Sequence, residues 1–119
     1  MSQESTCAAS FSTLDEKLKT ILLELRRRLE ALYGDRLVKV VLYGSQARGD
    51  ARPWSDIDVL LLLRGPVRTG TEIRRTEVIL GDLSLDFNVV ISCQYAQQDR
   101  FLRSDDSFWQ EVRQEGIEV

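Results

Sequence analysis

The chain has 119 residues, 43% of them apolar and 29% charged, with a net charge of −3; this is the make-up of one globular domain able to bury a core without staples. Sixteen basic residues scattered among 19 acidic ones leave no electrostatic footprint for gripping nucleic acid directly. Histidine is absent, which excludes Ser-His triads, imidazole metal sites and the usual neutral-pH acid–base group, so any catalysis must run on carboxylates, backbone N–H groups, cations and bound metal.

Residues 1–12 are small and polar, without periodicity, and read as a flexible tail ahead of a single domain over 13–119. Cys7 and Cys93 have no metal or redox spacing and read as free thiols of a reducing cytoplasm. No apolar run approaches the ~20 residues of a membrane span, and no basic segment leads into an apolar one at the N-terminus. Thr13-Leu14-Asp15-Glu16 has the form of a capping box. Behind it Leu14, Leu18, Ile21, Leu22, Leu25, Leu29 and Leu32 follow at helical spacing until Gly34 stops the helix. Arg26-Arg27-Arg28 fall inside this pattern and read as a solvated helix face.

Leu37–Tyr43 is nearly all apolar and β-branched, the pattern of a buried strand. Gly44 breaks it, Gln46-Ala47-Arg48 can form a short helix, and residues 49–54 make a turn-rich loop in which Pro53 bars regular pairing. Asp56–Leu63 reads as the second strand. A helix is expected from Thr71 to about Leu83, a third strand over Leu85–Ile91, and two short helices over Gln94–Leu102 and Ser107–Glu115, the last ended by Gly116.

The chemistry gathers at two places. Asp56 and Asp58, one residue apart on a strand, project to the same face while Ile57 and Val59 point inward. Such a pair repels itself unless water screens it or a divalent cation sits between, and hard oxygens at this spacing suit Mg²⁺, which also binds substrate phosphates. Upstream, Gly44-Ser45 lies where a strand feeds a helix start. Gly44 lets backbone approach a phosphate, Ser45 offers a hydroxyl, the first helical N–H groups face the anion, and Arg48 can neutralise further charge. Asp86, if it opens a strand beside Asp56–Leu63, completes a three-carboxylate cluster able to hold two metals or to take the proton of an acceptor hydroxyl, with Asp82 as the competing candidate.

Gly44-Ser45, ten residues, then Asp56-Ile57-Asp58 resembles the signature of the minimal nucleotidyltransferases in the DNA polymerase β-like superfamily. The longer pattern is matched by Gly44, Ser45, Ala47, Arg48, Gly49, Ser55, Asp56, Ile57 and Asp58. The family's third carboxylate falls on Asp86, and the closing Phe108-Trp109 and Glu115-Gly116-Ile117 are similar to the end of small stand-alone members. The resemblance implies an α+β fold, a short mixed β-sheet with helices packed on one face. It implies Mg²⁺-dependent transfer of AMP from ATP to a hydroxyl, with Asp56, Asp58 and Asp86 as catalytic and metal-binding residues and Gly44, Ser45 and Arg48 on the nucleotide. Small members commonly act as antitoxins of a HEPN-domain ribonuclease toxin, some by adenylylating a tyrosine of it. Too few residues follow Asp86 for the acceptor-binding domain of larger relatives, so the acceptor pocket is expected to be shared with that partner or with a second copy of the chain. Trp54 could stack on a base, face the partner or anchor its loop. The competing readings are a non-catalytic antitoxin that acts by binding, and a small-molecule nucleotidyltransferase of the antibiotic-modifying kind.

Overall fold

The computed structural model describes residues 10–52 and 55–119; the tail up to Ala9, with Cys7, and the loop residues Pro53 and Trp54 lie outside them. A short 3₁₀ turn over Phe11–Thr13 leads into helix α1, Glu16–Tyr33. Its cap is Asp15, whose carboxylate accepts from the backbone N–H groups of Lys17 and Leu18, and not the expected Thr13. The reason is local: the Thr13 hydroxyl closes the preceding turn, accepting from the Ser10 N–H at 3.2 Å and donating to the Ser10 carbonyl at 2.8 Å. The apolar stripe holds at Leu18, Ile21, Leu22, Leu25 and Leu29, each burial contributing about 2 kcal/mol. Leu32 faces outward and Tyr33 takes the inner place. Gly34, at φ 58°, ends the helix.

Strand β1, Leu37–Tyr43, runs antiparallel to β2, Ile57–Leu63, with Tyr43 opposite Asp58. Between them lies the four-residue helix α2, Ser45–Arg48. Helix α3 spans Thr69–Phe87, and β3, Ile91–Gln97, lies parallel to β2. Helices α4, Gln98–Arg103, and α5, Ser107–Glu115, precede the two-residue strand β4, Ile117–Glu118, antiparallel to β1. The sheet order is β3-β2-β1-β4. The α+β class and the mixed sheet agree with expectation.

Two element boundaries and the layering are corrected. The predicted strand over Leu85–Ile91 is helix through Phe87: Thr76, Ile79, Leu80, Leu83 and Phe87 keep one side of α3 against the core past Gly81. The stop is Asn88, left-handed at φ 55°, whose N–H bonds the Ser84 carbonyl. The helix expected from Gln94 is strand until Gln97, because Tyr95 and Ala96 are buried on opposite faces and the segment pairs with Leu60–Leu63. Finally, helices cover both faces of the sheet. Leu18, Leu25, Val59 and Leu61 belong to the core shared with α1 and α3, while Val41, Leu60 and Leu62 pack against Phe101 of α4 and Val112 of α5. A strand such as β2, apolar on both sides, needs a cover on each.

Candidate functional site

The site forms where β1 ends and β2 begins. Gly44 adopts φ 74°, ψ −156°, a conformation open essentially to glycine alone. That turn sets the start of α2, with Ser45 its first residue, directly after the glycine that abuts Asp58. Gly44 is also pressed against Asp58: a Cβ there would stand 2.6 Å from Oδ2. The bare α-carbon is therefore demanded twice, by backbone and by space.

Asp58 is the second residue of β2 and half-buried; Asp56 stands one residue before the strand and is exposed. Burial first, then the neighbouring negative charge of Asp56, pushes the Asp58 carboxyl above the ordinary carboxylate range, with the Arg48 cation pulling the other way. Across the ladder, burial and then the Asp58 charge push the Tyr43 phenol up to about 12. Tyr43 in turn meets Phe108 of α5 edge to face, ring centres 5.5 Å apart. An aromatic ledge thus borders the acids, a feature the sequence had marked only through the likeness of Phe108-Trp109 to the end of small stand-alone family members.

Arg48 lies near Asp58 but is held from two sides, by Asp50 at 3.3 Å and by Glu115 of α5 at 3.1 Å. The Glu115 contact spans 67 residues of sequence and had no local signal. Asp86 is not brought to the pair. It sits in the last turn of α3, exposed, on a hollow lined also by Thr20, Leu23 and Glu24 of α1. Asp82, the competing candidate, is exposed on the same helix. Among the described residues no group of three acids, cysteines or histidines stands close enough to share a metal, so the expected three-carboxylate cluster is corrected to a pair. The strand that faces Asp58 presents Ser92 instead, whose hydroxyl donates to Asp56 Oδ2 at 3.3 Å.

Two hard carboxylates beside the Gly44 turn fit a single Mg²⁺, which takes one or two protein carboxylates and completes its shell with water and substrate phosphates. Cys93 is a free thiol. No described helix is long and apolar enough to cross a membrane.

Residues 22–114 match the family described as nucleotidyltransferase domain. Two Methanocaldococcus jannaschii proteins whose names propose protein adenylyltransferase activity are similar. One is 32% identical over 83% of this chain and 95% of its own length. The other is 33% identical over 62% of this chain, which spans about half of it, 49%. Among solved structures, a toxin–antitoxin complex with AMP-PNP superposes with a TM-score of 0.59 at 15% identity, covering 87% of this chain and 72% of the other. A variant MntA–HpeT toxin–antitoxin complex gives 0.56 at 17% identity, with the same coverage of both chains. A Shewanella oneidensis structure gives 0.51 at 20%, covering 85% of this chain and 70% of the other. At these identities the structural likeness concerns the fold.

Proposed function

Because this chain belongs to the nucleotidyltransferase domain family, we propose that it transfers AMP from ATP to a hydroxyl on a protein, most specifically a tyrosine of a HEPN-type ribonuclease toxin that it thereby neutralises. The observation that carries this reading is the contact of Gly44 with Asp58 beside Asp56: an anion-approachable turn and a cation-binding pair share one corner. Relatives named for protein adenylylation and a fold shared with toxin–antitoxin complexes support the choice of acceptor.

In this scheme Gly44 and the first N–H groups of α2 receive the triphosphate, with the Ser45 hydroxyl as an added donor. Asp56 and Asp58 would hold Mg²⁺, which supplies charge neutralisation on the phosphates when bound. The acceptor oxygen forms a bond to the α-phosphorus as the bond to the bridging oxygen breaks and pyrophosphate leaves. The hydroxyl proton passes to one of the two carboxylates or to a base on the acceptor protein. Arg48 adds positive charge near the phosphates while Asp50 and Glu115 fix its direction.

The test is transfer of label from ATP carrying α-³²P to the partner protein with Mg²⁺ present. Label on a tyrosine that disappears with Asp56→Asn and with Asp58→Asn supports the proposal. Unlabelled partner under every divalent metal tried would remove it. The pairing of two acids in place of three favours one alternative, neutralisation by binding alone. That alternative requires the double Asn variant to protect cells from the toxin as well as wild type does.

A further inference from the structure

The two acids are not held alike. Asp58 is fixed by its place in β2, by its ladder partner Tyr43 and by the wall of Gly44. Asp56 lies outside the strand, exposed, at the end of the loop that begins at Gly49. What reaches its carboxylate is on β3. In the parallel ladder Ser92 stands opposite Asp58, so its side chain projects to the same face, and its Oγ donates to Asp56 Oδ2 at 3.3 Å.

We infer that Ser92 is the positioning residue of this centre: its hydroxyl holds Asp56 Oδ2 so that the remaining carboxylate oxygens of Asp56 and Asp58 face one divalent cation. This rests on the nucleotidyltransferase reading and deepens it. The neighbouring strand contributes a neutral hydroxyl where a third carboxylate was expected, so the centre carries two negative charges and binds a single metal. A ligand carboxylate tied down by a hydrogen bond loses less rotational freedom on metal binding, and such outer partners commonly matter about tenfold or more in metal affinity.

The experiment is a titration of the full chain with Mn²⁺ alone, read by electron paramagnetic resonance, on wild type, Ser92→Ala, Ser92→Thr and Asp86→Asn. Melting temperatures without metal are measured beside it. The expected result is a dissociation constant about tenfold higher for Ser92→Ala, near wild type for Ser92→Thr and for Asp86→Asn, with metal-free melting temperatures unchanged. In the transfer assay Ser92→Ala should raise the Mg²⁺ concentration for half-maximal rate while the rate at saturating Mg²⁺ stays near wild type. Equal Mn²⁺ affinity for wild type and Ser92→Ala overturns this inference and leaves the enzyme reading standing, as does a loss of affinity in Asp86→Asn. A wild-type chain that binds no Mn²⁺ overturns both.

Discussion

Gly44 and Asp58 are in such close register that a single methyl on the glycine would stand 2.6 Å from the carboxylate oxygen of the acid. The glycine turn and the half-buried acid of the pair therefore share one tight corner, with no room between them for a side chain on the glycine.

Gly44→Ala should accordingly lose both stability and transfer. The backbone at φ 74°, ψ −156° is strained for any residue with a Cβ, at about 1–3 kcal/mol, and the new methyl must push Asp58 aside. Urea unfolding and the label-transfer assay check the two effects separately. Wild-type values in both would contradict the contact.

Asp58→Asn and Asp56→Asn should each abolish transfer yet raise the melting temperature of the metal-free protein. Two carboxylates this close repel, and replacing one relieves the pair. The effect should be larger at the half-buried Asp58 than at exposed Asp56. Wild type should also gain melting temperature with Mg²⁺-ATP by mass action, a response both variants lose.

The raised proton affinity of Asp58 gives a pH signature. A carboxyl whose folded pKa is raised favours the folded state while protonated, and that contribution is lost as pH climbs through the raised value. Metal-free wild type and Asp58→Asn should thus have similar urea midpoints in acid, with the variant pulling ahead towards neutrality. Metal affinity, which needs the carboxylate, should fall on acidification at higher pH than for an ordinary aspartate. A constant gap between the two proteins from pH 3 to 7 would contradict the assignment.

Far from the site, at the opposite end of β1, Glu72 is 2% exposed and accepts a hydrogen bond from the Tyr33 hydroxyl at 2.8 Å. Arg75 stands 3.5 Å from the same carboxylate and Arg36 4.0 Å away. The neighbouring Thr76 and Tyr95 hydroxyls lie 2.6 Å apart. Tyr33→Phe leaves a buried carboxylate short of a donor and should cost about 1–3 kcal/mol in denaturant unfolding. Mn²⁺ affinity should not change, since a seven-residue strand separates this network from the acids.

Much of this was legible from local chemistry. The helix stop at Gly34 and the elbow at Gly44-Ser45 follow from positive-φ glycines. The strand Leu37–Tyr43, the second strand (expected from Asp56, found from Ile57 to Leu63) and the terminal helix Ser107–Glu115 follow from local residue patterns, which act within a few residues. The failures share a cause. Gln94–Gln97 looks polar enough for a helix start, but an open edge on β2 recruits it into the sheet. Leu85-Asp86-Phe87 looks like a strand opening, but the apolar side of α3 runs on until Asn88 provides a left-handed stop.

The residue order by itself determined that a tight glycine turn and a pair of acids exist at fixed separation, because turn chemistry and strand alternation are short-range properties. Only the tertiary structure decided which side chains complete the corner. Ser92 faces Asp58 because parallel pairing sets it there, Glu115 reaches Arg48 because α5 folds back over the sheet, and Asp86 is carried away on α3. Pairing register and helix length are settled by what each segment packs against, and no local pattern records that.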